Sequence, residues 1–491
     1  MARKSLDALP ETFVSTTEVT KLASKALRAG KLRKLASRLY TKDLTGDPHA
    51  IVRRNLWQIV AGYFPGALIA DRTALEGGPA KDGSVFLVSA ESGSVVALPG
   101  FILRPRRGAK PQSSDLPFMG GLRMSSPARA LLDNSVASRS RGAVARTLSR
   151  PEMETHLEGV LRRGGEGELN RLRDEARTLS RRIGRVREFA ALDKMIGALL
   201  NTRAGALSTP AARARRRGLP FDPAGADLFE TLRAELHREA PHTRLAPVHK
   251  APALPFFEAY FSNFIEGTEF AVDEAAAIVF ENRIPAARPQ DAHDVLGTYR
   301  IVADAREMRQ APATFADFER LLQRRHAAVM HARADKMPGR YKVEPNRAGA
   351  TFVAPDLVRG TLAEGFKAYR ALNAPFQRAV LMMFLIAEVH PFADGNGRLA
   401  RIMMNAELVA AGETRILMPT VYRANYLSAM KAVTNRAGVE PLVRVLDFAQ
   451  RFTHAVDWST VDRARADLQA ANAFLDSAEA EDKGLRLRVP R

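Results

Sequence analysis

The chain has 491 residues, of which 46% are hydrophobic and none is cysteine, and it carries a formal net charge of +20. This length predicts two or three domains, and the hydrophobic content excludes a chain that is disordered throughout. The lack of cysteine excludes disulfides and thiolate metal sites. The first 14 residues lack a signal-type apolar run, and the longest apolar stretch, residues 379–389, is too short to span a bilayer. We therefore predict a cytoplasmic protein with no membrane partner.

Positive charge is concentrated in the N-terminal half. Residues 1–240 hold 41 Lys and Arg against 25 Asp and Glu, whereas residues 241–491 hold 33 against 29. A local excess of this kind is typical of a surface that binds a polyanion such as DNA. An Arg-rich composition that serves only solubility is the alternative, and the charge alone leaves both open.

Residues 12–40 predict a small helical head. Thr16 can cap a helix that reaches about Arg28 with apolar residues on one face, and Gly30 stops it. Leucines then recur three or four residues apart up to Leu39, which predicts a second short helix. Two helices around a glycine turn, with basic residues in the second, outline a helix-turn-helix. Many amphipathic helix pairs share this outline.

The segment that follows, residues 50–150, predicts a mixed α/β region. Runs of apolar and β-branched residues predict strands, and proline and glycine mark the turns between them. The predicted elements are a helix at residues 55–60, strands at 85–88, 95–98 and 101–103, and a helix from Ser126.

This N-terminal half resembles the antitoxin of abortive-infection (AbiEi-type) systems over roughly residues 10–195. The resemblance is carried by residues 16–40, by Phe64-Pro65-Gly66-Ala67 with Arg72-Thr73-Ala74-Leu75, and by residues 125–133. Those proteins have a winged-helix head that binds DNA. The resemblance therefore implies a winged-helix head at residues 1–50, an α/β region at 51–200 and DNA as a partner. The Arg-, Gly- and Pro-rich stretch at 201–225 predicts a linker.

From about Leu228 the sequence predicts an all-α domain. The helical patterns lie at residues 228–239, 256–264, 273–282, 292–308, 315–333, 357–371 and 376–389. Residues 341–353 are β-prone and broken by Pro345 and Gly349, which predicts a small β-hairpin. A charged, Ala-rich helix at 460–481 opens a C-terminal segment, residues 461–491, that packs on the core or mediates association into a homo-oligomer.

The most informative segment is residues 390–401, His-Pro-Phe-Ala-Asp-Gly-Asn-Gly-Arg-Leu-Ala-Arg. A glycine-rich loop that opens a helix is an anion site, because its backbone N–H groups and the helix dipole favour negative charge. Arg398 and Arg401 share one face of that helix and suit a polyphosphate. Asp394 beside phosphates is a natural Mg²⁺ ligand, and His390 can accept a proton near neutral pH. Each residue alone is more often structural, but here all of them meet within twelve residues.

This segment resembles the signature of the Fic family, His-Pro-Phe-x-(Asp/Glu)-Gly-Asn-Gly-Arg-x-x-Arg, and matches it at every fixed position. The resemblance implies a Fic domain over residues 226–460 and transfer of AMP from ATP to a hydroxyl side chain of a target protein. His390 would deprotonate the hydroxyl, and Asp394 would hold Mg²⁺. The residues that would bind the phosphates are Gly395, Asn396, Gly397, Arg398 and, at the γ-phosphate, Arg401. Other nucleotide donors stay open.

The same resemblance implies two further features. Residues 340–353 would form a β-hairpin flap that docks the target chain by strand addition. Tyr422, Asn425 and Tyr426 lie where the family often lines its adenine pocket, and they could equally be ordinary helix residues.

A second motif, Ser262-Asn263-Phe264-Ile265-Glu266-Gly267, resembles the Fic inhibitory motif (Ser/Thr)-x-x-x-Glu-(Gly/Asn). Ser262 and Glu266 are four residues apart and therefore share a helix face. The motif precedes the signature, which implies a self-inhibited enzyme with an inhibitory helix near 256–267. The alternative is a helix that ends at Gly267 with an exposed glutamate.

Two functions remain open from the sequence. In the first, the protein is an AMP transferase whose N-terminal module selects the target or places the enzyme on DNA. In the second, it is a DNA-binding regulator of toxin–antitoxin type in which the Fic domain serves as a nucleotide sensor. The intact signature favours the first.

Overall fold

The computed structural model describes residues 5–90, 93–138, 143–238, 242–346 and 352–490. The chain divides into two units, Met1–Arg216 and Arg217–Arg491. Each unit has its own buried apolar clusters. Within the described residues, every helix is too short or too polar to cross a membrane.

The described residues of the first unit form two β-sheets. Its strands are β1 (Thr12–Val14), β2 (Arg33–Ala36), β3 (Leu39–Thr41), β4 (Leu68–Ile69), β5 (Ser84–Val88), β6 (Val96–Leu98), β7 (Phe101–Arg106), β8 (Leu116–Pro117) and β9 (Arg123–Met124). The first sheet is antiparallel, in the order β1-β3-β2, and the second has the order β6-β7-β5-β4-β9-β8. In the second sheet β5 pairs with β7 and β4 with β9 in parallel, and the other pairs are antiparallel. The predicted α/β region is therefore a mixed sheet.

Eight helices are described in this unit, and the last four share a core. They are α1 (Thr20–Arg28), α2 (Pro48–Arg54), α3 (Leu56–Tyr63), α4 (Asp71–Glu76), α5 (Pro127–Asn134), α6 (Arg150–Arg182), α7 (Val186–Leu199) and α8 (Pro210–Arg216). Ser149 and Glu152 form a capping box that starts α6. Leu157, Leu172 and Ile196 are buried in the cluster that α5, α6, α7 and α8 share.

The predicted second helix of the head is wrong, because residues 33–41 form the β2–β3 hairpin. Arg38 adopts a left-handed φ of 62° and turns the chain, which a helix does not allow. Leu32 and Leu39, which read as one helical face, are instead buried in two different clusters. The head thus has one helix, α1, and a three-stranded sheet, and the winged-helix assignment stays a prediction.

The predicted linker at 201–225 is wrong for residues 210–216, which form α8. Ala212 on this helix is fully buried in the core shared with α6 and α7. The boundary between the two units falls directly after it, between Arg216 and Arg217.

The second unit is all-α among its described residues, as the sequence predicts. Its helices are α9 (Pro223–Arg238), α10 (Leu254–Ile265), α11 (Val272–Glu281), α12 (Pro289–Ala303), α13 (Ala305–Met308), α14 (Phe315–Val329), α15 (Val358–Arg370), α16 (Pro375–Val389), α17 (Asn396–Ala410), α18 (Arg423–Thr434), α19 (Glu440–Ala455), α20 (Val461–Ala470) and α21 (Ser477–Asp482). Residues 379–386 are all fully buried, so α16 is the central helix of this unit.

Two expectations for this unit need correction. The described parts of the predicted hairpin flap, residues 340–346 and 352–353, contain no strand, and residues 347–351 lie outside the described residues. The single C-terminal helix at 460–481 is two helices, α20 and α21, because Asn472 adopts a left-handed φ of 65° between them.

Candidate active site at the start of helix α17

The site is a short loop that joins two buried helices. Helix α16 ends at Val389, His390 adopts a left-handed φ of 52°, and Gly395 is the N-cap residue of α17 with a φ of 74°. A Cβ on Gly395 would lie 2.7 Å from the sulfur of Met330, so a side chain there would require Met330 to move and would also strain the backbone. The unpaired backbone N–H groups of the first turn of α17 face the loop and favour an anion.

The loop is held in place by the side chain of Asn396. Its Oδ1 accepts a hydrogen bond from the Phe392 backbone N–H at 2.9 Å, and its Nδ2 donates to the Phe392 carbonyl at 2.9 Å. Asn396 is almost fully buried. The sequence predicts that Asn396 binds the phosphates. Because these two hydrogen bonds occupy its side chain, only its backbone N–H is left to bind a phosphate.

His326 of α14 also supports the loop. Its ring stacks on Phe392 with centroids 3.7 Å apart, its Nε2 donates to the Asp394 carbonyl at 3.0 Å, and its Nδ1 accepts from the Gly339 N–H at 2.9 Å. Burial lowers the pKa of His326 to about 4, so the ring stays neutral and keeps the tautomer that these two bonds require.

His390 is oriented by two contacts. Its Nδ1 donates to the Ala387 carbonyl at 3.3 Å, and its ring stacks on Phe352 with centroids 3.9 Å apart. No described residue hydrogen-bonds to its Nε2, which is therefore free to accept a proton. Burial lowers the pKa of His390, and the nearby Lys342 ammonium acts in the same direction. The imidazole is thus neutral at pH 7 and suited to general-base chemistry.

Lys342 and Asn346 attach the segment before residue 347 to the loop. The Lys342 N–H donates to the Pro391 carbonyl at 2.9 Å, and Asn346 Nδ2 donates to the Phe392 carbonyl at 2.9 Å. The Lys342 ammonium donates to Asn346 Oδ1 at 2.8 Å, and burial lowers its pKa to about 8. These bonds place the described start of the predicted flap directly beside the signature loop.

Arg398 and Asp394 have different environments. Arg398 is buried and pairs through Nη1 with Asp294 of α12 at 2.8 Å, and Asp294 also pairs with Arg333 at 2.7 Å. Asp394 is 44% exposed, and its Oδ1 accepts from the Gly395 N–H at 2.6 Å. One accessible carboxylate beside a phosphate loop fits Mg²⁺, which takes one or two carboxylates together with phosphate oxygens. Within the described residues, no cluster of His, Asp and Glu side chains could hold a metal by itself.

Arg401 forms hydrogen bonds with two residues of the second sequence motif, Ser262 and Glu266. Its Nη2 lies 2.7 Å from Glu266 Oε1 and donates to the Ser262 carbonyl at 2.7 Å, and its Nε donates to Ser262 Oγ at 3.0 Å. A Cβ on Gly397 would lie 2.1 Å from Glu266 Oε1. The structure therefore brings Ser262, Glu266 and Arg401 together, with the Glu266 carboxylate over the first turn of α17.

The residues suggested for an adenine pocket do not share one surface. Tyr422 and Asn425 line a groove of about 800 Å³ with Phe448. Tyr426 is buried, and its hydroxyl is directed toward Met383 rather than into that groove. The adenine assignment stays a prediction.

Three residues important to the site went unnoticed in the sequence: Asp294, His326 and Phe352. Asp294 and His326 lie within helical patterns, 96 and 64 residues before His390, where a buried polar residue on an otherwise apolar face was the only available signal. Phe352 lies in the predicted flap, where the sequence gives no sign that its ring stacks on His390.

Comparison with known proteins identifies the class of this domain. Residues 316–408, which include α14, α16 and the signature loop, match the Fic/DOC family. The chain therefore contains a Fic domain. A protein adenylyltransferase Fic of Drosophila willistoni is 29% identical over 124 residues, which is 25% of this chain and 24% of that protein. The protein of the same name from Drosophila melanogaster is 33% identical over 89 residues, 18% of each chain.

The chain spans about a quarter or less of the length of these curated relatives. Among solved structures, a Fic-domain-containing signaling protein from Bacteroides thetaiotaomicron is 18% identical, covers 49% of this chain and 97% of its own, and superposes with a TM-score of 0.36.

Proposed function

We propose that this protein transfers AMP from ATP to a Ser, Thr or Tyr hydroxyl of a target protein, and that Glu266 restrains the reaction. The hydroxyl oxygen attacks the α-phosphorus, the bond from that phosphorus to the oxygen shared with the β-phosphate breaks, and pyrophosphate leaves. His390 Nε2 takes the hydroxyl proton. The observation that carries the proposal is the Arg401–Glu266 contact of 2.7 Å at the start of the signature helix.

The loop and helix α17 supply the positions for this chemistry. Backbone N–H groups at Asn396 and Gly397 would bind phosphate oxygens at the helix N-terminus. The Gly395 N–H donates to Asp394 Oδ1, so Gly395 would serve by letting the phosphates approach closely. Mg²⁺ held by Asp394 would neutralise phosphate charge as pyrophosphate leaves. Arg401 would contact the γ-phosphate. Positioning and charge neutralisation then provide most of the rate enhancement, as is usual for nucleotide chemistry.

The restraint follows from competition between two anions. The Glu266 carboxylate occupies the first turn of α17 and neutralises Arg401, at the place where the γ-phosphate would bind. ATP would then bind only with its α-phosphate misaimed, and a misplacement of about 1 Å can lower a rate ~10²-fold. The target would dock on residues 340–353, whose described beginning is attached to the loop through Lys342 and Asn346.

The test compares three proteins incubated with Mg²⁺, ATP labelled at its α-phosphate, and cell lysate. Glu266→Gly should raise labelling of the chain itself and of target bands by up to ~10²-fold over wild type. Adding His390→Ala to Glu266→Gly should abolish labelling while nucleotide binding persists, since loss of a general base typically costs ~10²–10⁴-fold. Equal labelling by wild type and Glu266→Gly at matched concentration would disprove the restraint. Undiminished labelling by the double variant would remove His390 from the mechanism.

A second candidate function, binding of DNA by the first unit, is favoured by a specific surface. Residues 1–150 hold 24 Lys and Arg against 11 Asp and Glu. Lys21, Lys25 and Arg28 are exposed on α1 at spacings of four and three, so they lie along one face, and Lys34 and Arg38 of the β2–β3 hairpin are also exposed. Such a row of cations suits the phosphates of duplex DNA.

The full-length chain tests this candidate by titration of a labelled duplex at several salt concentrations. The affinity of the wild type should fall steeply as the salt concentration rises. Replacing Lys21 and Lys25 with Gln should make the plot of log affinity against log salt concentration less steep, by the amount expected for the loss of about two phosphate contacts. Replacing Arg370 and Lys431 with Gln removes the same charge from exposed positions of the second unit and should leave the slope unchanged. No binding at low salt would rule out a DNA role for this surface.

A further inference from the structure

Helices α10 and α17 meet along a row of polar contacts that extends beyond the inhibitory motif. On α10 the contacting residues are four apart, and on α17 their partners are also four apart. The row consists of Glu266 against Gly397 and Arg401, Ser262 against Arg401, and Glu258 against Asn405. The first two contacts belong to the motif, and the third does not.

The third contact is a buried carboxylate with both oxygens satisfied. Asn405 Nδ2 donates to Glu258 Oε1 at 2.8 Å, and Arg415 Nη1 donates to Glu258 Oε2 at 2.7 Å. Asn405 is fixed in turn by its hydrogen bonds with the backbone of Ile416 at 2.8 and 2.9 Å, and Arg415 by the Val302 carbonyl at 2.7 Å. Glu258 is 6% exposed and Asn405 1%, so solvent screens this contact little.

Glu258 cannot touch a nucleotide bound at the signature loop. It precedes Glu266 by eight residues, which is about 12 Å along a helix. It therefore has no part in binding phosphate or in moving a proton. Its contacts hold α10 against Asn405 of α17 and against Arg415 in the segment after α17.

The apolar contacts of α10 are less directional than its polar contacts. Three phenylalanines of α10 are fully buried: Phe256, Phe257 and Phe261. Burial of their rings stabilises the fold, but it depends little on the exact axial position of the helix. A charge-assisted contact with two fixed partners is directional. Buried polar pairs are best attested as devices that set the register between helices.

We propose that Glu258 is a positioning residue for the inhibitory contact. It fixes the axial register of α10 on α17 through Asn405 and Arg415, and this register delivers the Glu266 carboxylate to Arg401. Loosening Glu258 lets α10 shift, and Glu266 leaves the γ-phosphate position although its own side chain is intact. The proposal rests on the proposed transfer reaction and its restraint by Glu266.

The test measures self-labelling from ATP labelled at its α-phosphate in the full-length chain. Glu258→Gln keeps the volume of the side chain but removes the charge that faces Arg415, and Glu258→Ala removes both contacts. We expect labelling to rise at least about 10-fold in the alanine variant, approaching the Glu266→Gly rate, with a smaller rise for glutamine. In the Glu266→Gly background, either substitution should change the rate less than about twofold, since the contact it supports is already lost.

Glu407→Gln is the matched control. Glu407 is a buried carboxylate of α17 that faces Arg378 of α16 and accepts from the Tyr369 hydroxyl of α15, so both contacts lie outside α10. It undergoes the same chemical change as Glu258→Gln and should not activate. Hydrogen exchange of residues 254–265 supplies a second readout, and it should quicken in the Glu258 variants and not in Glu407→Gln.

The outcomes separate the two proposals. If Glu266→Gly activates and neither Glu258 variant does, the positioning role is overturned and the restraint by Glu266 stands. If the Glu258 variants change the rate equally with and without Glu266, they act by another route and the positioning role is again overturned. If Glu266→Gly itself fails to activate, the proposed restraint fails first. If the Glu258→Ala protein does not fold, the labelling rate of Glu258→Gln and the hydrogen exchange of its residues 254–265 test the positioning role.

Discussion

At the scale of single residues, His390 sets the pH dependence of the proposed reaction. Only its neutral form can accept the hydroxyl proton, so the rate falls as pH drops through its pKa. Burial holds that pKa below the ordinary value of about 6.5. We therefore expect the acid limb of the rate, measured with the Glu266→Gly protein, to have its midpoint below pH 6.5. A midpoint above that value would mean that the imidazole is not held neutral by its surroundings.

Asn396 provides a second prediction at this scale. Its two hydrogen bonds to Phe392 close the loop, so Asn396→Ala leaves the buried Phe392 N–H without its partner and the Phe392 carbonyl with Asn346 alone. We expect a loss of about 1–3 kcal/mol in the unfolding free energy of the second unit and a fall in label transfer in the Glu266→Gly background. Denaturant titration and the transfer assay measure the two effects. A lower transfer rate with unchanged stability would instead indicate direct phosphate contact by the amide.

The sequence predicts the site as far as its residues are contiguous. The loop, its glycines and both arginines lie within twelve residues, so their chemistry can be read together, and the spacing of four in the inhibitory motif gives a helix face. The partners that hold these residues come from distant helices. Asp294 pairs with Arg398 across 104 residues of sequence and His326 reaches Asp394 across 68, and only folding brings such groups together.

At the scale of elements, the same limit explains helix α8. Residues 201–225 read as a linker because arginine, proline and glycine dominate them, and the helix at 210–216 is too short to be stable alone. Its start is held by Glu154 of α6, whose Oε2 accepts from the N–H groups of Ser208 and Thr209 at 2.7 and 2.9 Å and from the Ser208 hydroxyl at 2.8 Å. No local pattern could reveal a partner 54 residues away.

Glu154 therefore gives the element-scale prediction. Burial alone would raise its pKa, but the hydrogen bonds from Thr209 and Ser208 and the Arg150 guanidinium outweigh burial and lower it. Because the pKa of Glu154 is lower in the folded state, its carboxylate stabilises the fold fully at pH values above its pKa in the unfolded chain, about 4.3. This stabilisation is lost as the pH falls through the pKa of Glu154 in the folded state. Glu154→Gln should destabilise the first unit by about 1–3 kcal/mol at pH 7 and by much less at pH 3. Denaturant titrations at the two pH values, with exposed Glu175→Gln as control, check this.

At the scale of the whole molecule, the chain combines two units whose apolar clusters are separate. The first unit carries the excess of positive charge and the row of cations on α1, and the second carries the signature loop and the Arg401–Glu266 contact. The sequence predicts a linker at 201–225 and continuous helical periodicity from about residue 228, and the boundary between the units lies inside that linker. It does not show that the first part of the linker belongs to the first unit, where Ala212 of α8 is buried.

Separate cores predict separate unfolding. We expect thermal unfolding of the full chain to show two transitions, because chains with several cores commonly depart from two-state behaviour. A ligand that binds the folded state stabilises it by RT ln(1 + [L]/Kd), about 2.7 kcal/mol at a hundredfold excess over Kd, so ATP with Mg²⁺ should raise only the transition of the second unit. Calorimetry with the His390→Ala protein, which should not transfer AMP, measures the shift, and hydrogen exchange assigns each transition to its unit.

The shift in the second unit's unfolding temperature should be larger when Glu266→Gly is added, because Arg401 is then free to contact the γ-phosphate. One transition that shifts as a whole would show that the units unfold together, and equal shifts with and without Glu266 would show that its carboxylate does not compete with ATP.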